Sequence, residues 1–161
     1  MTGIICLRKP EGITSFQAVR KTRGITGEKK AGHCGTLDPD ATGVLPVMLG
    51  GATRFLEFLP TTPKQYRAVM KLGVVTDTLD LSGNVLETND VSAGREDILT
   101  VLDRFRGDIE QVPPMYSALK KDGVRLYDLA RQGVEVERAS RDIVIEELAE
   151  FTRDNLNVIF D

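Results

Sequence analysis

The sequence predicts an α+β fold, and three observations carry that prediction. Short apolar runs bounded by glycine, proline and polar residues read as strands. Apolar positions at helical spacing between them read as short helices. The two kinds interleave irregularly, with several antiparallel-looking connections, which favours α+β over a doubly wound parallel sheet. At 161 residues the chain suits one domain, long enough to bury roughly two-thirds of its unfolded surface without disulfides or metals.

Gly3–Leu7 is apolar and ends in the turn Lys9-Pro10-Glu11-Gly12, so it is expected as a strand. Thr14 or Ser15 can cap a following helix whose apolar face includes Phe16 and Val19. A glycine-rich loop comes next, then Val44–Leu49 as a buried strand in which Pro46 argues for an edge position. Ala52–Leu59 reads as a short helix stopped by Pro60 and Pro63. Tyr66, Ala68, Met70 and Leu72 alternate with Arg67, Val69 and Lys71, the period of a half-buried strand. Ser82-Gly83-Asn84 turns into a strand at Val85–Thr88, and Ile98, Leu102 and Phe105 fall at helical spacing. Val112–Tyr116 is interrupted by proline, and Val124–Gln132 is a predicted helix with Gly133 placed to end it. Ile143–Leu148 and Leu156–Phe160 are the last expected strands.

Composition narrows the class of partner. The balance of 41% hydrophobic and 28% charged residues is that of a soluble globular protein. Two cysteines, Cys6 and Cys34, in no CxxC spacing suggest a reducing compartment. Apolar runs such as Val44–Leu49 are too short to span a bilayer, and Met1–Ile5 has no signal-peptide pattern, so a cytoplasmic protein without membrane contact is expected. The net charge of -3 hides an uneven distribution. Residues 1–33 carry seven Lys/Arg against Glu11 and Glu28, while residues 76–110 carry nine acids against three bases. Local potential governs docking more than the total, so an acidic chain can still present a basic face to a polyanion. A solvated basic face is the plain alternative.

The densest chemistry lies in Gly32-His33-Cys34-Gly35-Thr36-Leu37-Asp38-Pro39-Asp40-Ala41-Thr42-Gly43. It sets Asp38 beside the only histidine of the chain. Pro39 biases Asp38 toward extended backbone, and Gly32, Gly35 and Gly43 permit close approach or positive φ. Asp-Pro is also ordinary turn chemistry. The Asp38/Asp40/Thr42 spacing is not a calcium loop, because Leu49 stands where the bidentate glutamate belongs and Pro39 interrupts it. No Gly-x-x-x-x-Gly-Lys-Ser/Thr motif supports a P-loop, and His33 lacks the companions a metal site needs. His33 reads as a contact to backbone or to RNA. A nucleophilic Cys34 would need a basic partner that sequence does not show, so Cys34 reads as a small buried residue. Tyr66, between Lys64 and Arg67, is a sheet-face tyrosine or a base-stacking one.

Six segments in order resemble the TruB-type tRNA pseudouridine synthases, the enzymes named for uridine 55 of the T loop. They are Lys9-Pro10-x-Gly12-x-Thr14-Ser15; Gly32-His33-x-Gly35-Thr36-Leu37-Asp38-Pro39-x-Ala41-Thr42-Gly43-Val44-Leu45; Lys64-x-Tyr66-Arg67; Leu72-Gly73-x-x-Thr76-Asp77-Thr78-x-Asp80-x-x-Gly83; Val112-Pro113-Pro114-Met115-Tyr116-Ser117-Ala118; and Gly123-Val124-Arg125-Leu126-Tyr127-Asp128-Leu129-Ala130-Arg131. The resemblance implies a mixed, largely antiparallel sheet with flanking helices. It implies Asp38 as the catalytic aspartate, Tyr66 as a catalytic aromatic against the target base, and His33 as an RNA contact near the extruded nucleotide. Lys9, Lys64 and Arg67, cations inside matched segments, join His33 and Tyr66 as substrate-binding candidates. No cofactor and no metal are implied; the partner is the T stem-loop of tRNA, and a monomer is favoured.

Two departures accompany the resemblance. Cys34 stands where the family more often has a small residue such as threonine or glycine. The family pattern also runs on beyond Asp161 into a Gly-Thr-Tyr-Ile-Arg-like segment, whose arginine pairs with the catalytic aspartate, and then into an RNA-binding C-terminal domain. Residues 1–161 are therefore expected to be an incomplete catalytic domain with impaired activity by itself. The alternative reading is a non-catalytic RNA-binding or tRNA-folding module. A phosphate-transferring or metal-dependent hydrolase built on Asp38 and Asp40 lacks supporting ligands.

Overall fold

A computed structural model describes residues 1–60, 63–117, 119–148, 152–154 and 157–160. The chain divides into two units, Met1–Lys64 and Gln65–Asp161. In the first, β1 (Gly3–Lys9) leads to α1 (Ser15–Thr26), β2 (Ala31–His33), β3 (Gly43–Leu49) and a 3₁₀ stretch over Gly50–Phe58. β3 is the central strand: it pairs antiparallel with β1 from Gly3↔Leu49 to Lys9↔Gly43, and with β2 from Ala31↔Leu49 to His33↔Val47.

The central place of β3 corrects the edge position expected from Pro46. N–H and C=O of one strand residue point to the same side, so the missing Pro46 donor faces the β2 side. There β2 has already ended, and Cys34 N–H donates to Pro46 O at 3.0 Å. The single bond Pro46 cannot return to Cys34 falls at the very end of the ladder, so a proline in the central strand costs β3 little pairing.

α1 begins where its side chains can close a capping box. Thr14 Oγ1 accepts from Gln17 N at 3.1 Å, and Gln17 Oε1 accepts from Thr14 N at 2.7 Å. Gly27, at φ 69°, ends the helix by donating its N–H to Arg23 O. The buried stripe runs through Ser15, Ala18, Val19 and Thr22, the i, i+3, i+4, i+7 rows of one face. Phe16 lies one residue off that stripe and is 63% exposed, against the expectation that it shares a face with Val19. Ala18 and Val19 pack with Ala31, Leu45, Val47 and Leu49, with Ile5, Leu7, Ile13 and Leu37 at the margin.

The second unit holds β4 (Ala68–Lys71), β5 (Val74–Thr76), β6 (Val85–Thr88), α2 (Arg95–Leu102) with a 3₁₀ turn to Phe105, and β7 (Gly107–Gln111). It continues with β8 (Lys120–Lys121), β9 (Val124–Arg125), α3 (Leu126–Arg131), β10 (Arg141–Ile145), β11 (Thr152–Asp154) and β12 (Asn157–Phe160). Its ladders are β11-β12-β4, β10-β7, β5-β6 and β8-β9, and every pairing among the described residues of both units is antiparallel. The antiparallel α+β character expected from the sequence is what the chain adopts.

Boundaries differ in instructive ways. The alternation from Tyr66 to Leu72 becomes a strand only over Ala68–Lys71, which leaves Tyr66 and Arg67 ahead of it. The helix expected from Val124 starts at Leu126, because Val124 and Arg125 pair with Lys121 and Lys120 instead. The strand expected over Ile143–Leu148 is Arg141–Ile145, set by pairing with Gly107–Gln111. Leu156, expected in the last strand, lies outside the described residues. Among the described residues no helix is long and apolar enough to cross a membrane.

Candidate active site

Asp38 sits in the loop between β2 and β3, and its backbone is held at every step. Ala41 N–H donates to Asp38 O at 3.1 Å, closing a β-turn with Asp38 first and Pro39 second, the positions that suit each residue. Pro39 O accepts from Gly12 N–H at 2.9 Å and from Lys9 Nζ at 3.0 Å. Gly12 reaches that carbonyl at φ 81°, a conformation that strains a side-chain-bearing residue. The carboxylate itself faces solvent, and among the described residues none donates to it. A fixed backbone carrying an exposed, unsatisfied carboxylate is the arrangement a nucleophile or general base requires.

Lys9 is where the structure corrects the sequence reading. It was expected to touch substrate, yet it is 0% exposed. Its ammonium donates to Pro10 O at 2.9 Å, Ile13 O at 2.8 Å and Pro39 O at 3.0 Å. An ammonium has three N–H groups, and all three are engaged. It has no face left for a phosphate. Lys9 is a tether that ties the Asp38 loop to the turn after β1.

His33 ends β2, and its Nδ1 lies 2.6 Å from Gly35 O. A carbonyl only accepts, so Nδ1 donates in this contact, and no hydrogen bond engages Nε2 among the described residues. Of the motif glycines, Gly35 takes φ 80°, while Gly32 serves close approach, since a Cβ there would lie 3.2 Å from Leu56 Cδ1. Cys34 is half-buried rather than buried. Lys64 is exposed at the end of the first unit; Tyr66, 62% exposed, and Arg67 open the second. The first unit thus brings Lys9, His33 and Asp38 into one loop system, and the second presents Tyr66 and Arg67 together.

Features that sequence spacing did not disclose lie in both units. Ser15 hydrogen-bonds both backbone groups of Leu37. In the β5–β6 loop, Asp80 Oδ1 accepts from Ser82 Oγ at 2.6 Å, Ser82 N at 2.8 Å and Thr78 Oγ1 at 2.8 Å. The Ser82 hydroxyl foremost, with Thr78 and the backbone N–H groups of Ser82 and Gly83, holds the Asp80 carboxyl below the usual carboxylate range, against a smaller opposing push from burial. A cavity of about 490 Å³ in the second unit is lined by Leu119, Leu126, Lys120, Lys121 and Arg138 among others. Nearby in sequence, Tyr127 has the Arg125 and Arg131 guanidinium groups 5.7 and 5.4 Å from its ring centre.

Solved structures share this fold. The chain superposes on one in a Cbf5-Nop10-Gar1 complex with a TM-score of 0.70 and 33% identity, covering 98% of this chain and 38% of that one. A chain in an H/ACA RNP bound to a substrate RNA containing 2′-deoxyuridine gives 0.66 and 28%, covering 98% and 36%. The family pattern described as "TruB family pseudouridylate synthase (N terminal domain)" matches residues 23–161, and the chain belongs to that family. It is 52% identical to tRNA pseudouridine synthase B of Clostridium acetobutylicum over 145 residues, 90% of this chain and 50% of that protein. The corresponding protein of Pseudomonas aeruginosa is 53% identical over 148 residues, 92% of this chain and 49% of its own length. The chain therefore spans about half the length of the curated relatives it matches.

Proposed function

We propose that the protein containing this chain converts a uridine of tRNA, at position 55 of the T loop, to pseudouridine, with Asp38 as the essential catalytic group. The observation that carries the reading is the Asp38 loop: three consecutive backbone carbonyls tied down around an exposed carboxylate, in a member of a pseudouridylate synthase family. The reaction breaks C1′–N1, forms C1′–C5, moves a proton from C5 and leaves one on N1. It is an isomerisation without redox change, so it calls for no cofactor. The target base is inaccessible while stacked, and flipping it out costs a few kcal/mol. Stacking on the exposed Tyr66 ring returns about 1–3 kcal/mol of that. Attack at C1′, attack at uracil C6 and abstraction of a ribose proton all begin from an ionised, accessible Asp38.

His33 is assigned to the RNA beside the flipped nucleotide through Nε2, and Lys64 and Arg67 to phosphates. Residues 1–161 form part of the catalytic domain in this reading, short of the arginine that orients Asp38. Tritium release from C5-labelled tRNA uridine tests both statements. Asp38→Asn in the gene product should abolish release while tRNA binding stays nearly intact; retention of activity would remove Asp38 from the chemistry. The isolated 161-residue chain should turn over more slowly than a full-length relative by at least about 10²-fold, the scale of losing one charge-stabilising group. Binding without conversion by the unsubstituted gene product would make it an RNA-binding module.

A further inference from the structure

Ser15 is the first residue of α1 and is 2% exposed. It is not the helix cap; Thr14 fills that role with its own hydroxyl. Ser15 Oγ instead accepts from Leu37 N–H at 2.9 Å and donates to Leu37 C=O at 3.1 Å. One hydroxyl therefore does for residue 37 what a neighbouring strand would do, satisfying both of its backbone groups across 22 positions of sequence. The Leu37 side chain adds a third anchor by packing at the margin of the core.

The Leu37 carbonyl belongs to the peptide plane that enters Asp38. The plane leaving Asp38 is fixed by Ala41 N–H on Asp38 O, and the next by Gly12 and Lys9 on Pro39 O. Two planes determine the φ and ψ of Asp38, and those set the direction of its Cα–Cβ bond. We propose that Ser15 is a positioning residue for catalysis, orienting the Asp38 carboxylate through the Leu37–Asp38 peptide. This rests on the reading of Asp38 as the catalytic group. Without the hydroxyl the incoming plane is free to rotate while the outgoing one stays tied, so the carboxylate swings relative to a substrate held elsewhere. A misplacement of about 1 Å at a reacting group costs on the order of 10²-fold in rate.

The test is steady-state tritium release by the gene product carrying Ser15→Ala, Ser15→Thr, Thr22→Val or Asp38→Asn. Thr22→Val removes another buried hydroxyl of α1, one bonded to Ala18 O and not to the loop. Ser15→Ala should lower kcat by about 10- to 100-fold with KM for tRNA nearly unchanged. Ser15→Thr, which keeps the hydroxyl, should recover most of it, and Thr22→Val should leave kcat near the unsubstituted value. An unchanged kcat in Ser15→Ala overturns the proposal, as does an equal fall in Thr22→Val. If Ser15→Ala does not fold, Ser15→Cys, similar in volume with a weaker donor, is held to the same outcomes. Activity persisting in Asp38→Asn would show that the Asp38 reading had failed; an inactive Asp38→Asn beside a normal Ser15→Ala would show that only the Ser15 inference had.

Discussion

Lys9→Met probes the tether directly. The thioether has nearly the length of the lysine stem and fills the same space, so the change removes hydrogen bonds rather than volume. Replacing a buried charge by an apolar group can stabilise a protein when its partners go too. Here they cannot, since the partners are the backbone carbonyls of Pro10, Ile13 and Pro39. Pro39 O keeps Gly12 N–H and Pro10 is an exposed residue, so the loss falls chiefly on the Ile13 carbonyl, at about 1–3 kcal/mol. Relief of lysine desolvation acts against this and favours the lower half of that range. In a chain of 161 residues even 2 kcal/mol lowers Tm by roughly 4–8 °C. Urea unfolding followed on amide signals of residues 1–64 measures the loss. A change below about 0.5 kcal/mol, the scale of an indifferent surface substitution, would refute the tether. A second readout separates the tether from the substrate contact first expected: a tethering lysine leaves the salt dependence of tRNA binding unaltered, whereas losing a phosphate contact reduces its log–log slope by about one.

Two further substitutions and one titration probe the rest of the frame. Leu45→Ala, at a residue 0% exposed, should cost about 2–5 kcal/mol, whereas Val44→Ala, 69% exposed on the opposite face of β3, should stay within about 0.5 kcal/mol by the same urea assay. Equal effects would mean that the register of β3 is wrong by one residue. The Asp80 carboxyl is held below its ordinary value of 3.8, so its contribution to the β5–β6 loop is fully present above that pH and is lost as pH falls through the lower folded value. A carboxyl carbon titration with a midpoint at or above 3.8 would contradict the hydrogen bonds that Ser82 and Thr78 donate.

Signals that act over a few residues were legible in the sequence. The helix cap at Thr14 or Ser15, the Gly133 stop and the Asp38-Pro39 turn all rest on interactions within about four positions, which a linear reading captures. Contacts across longer separations were not. Lys9 in a Lys-Pro-Glu-Gly turn reads as a cation available to substrate, because nothing nearby announces the Pro39 carbonyl 30 residues on. Pro46 reads as an edge marker until β2 is seen to stop where its missing donor points. The alternation around Tyr66 is a true β pattern, yet pairing with β12 begins only at Ala68.

By itself, then, the sequence determined the α+β class, the family and the glycine-punctuated loop that displays Asp38, because residue chemistry and local backbone preference are enough to specify them. Tertiary structure alone decided what holds that loop. Gly12, Lys9 and Ser15 are polar groups whose hydrogen bonds must be satisfied once they fold against it, and which groups satisfy them depends on how β1, α1 and β3 pack, not on their spacing along the chain.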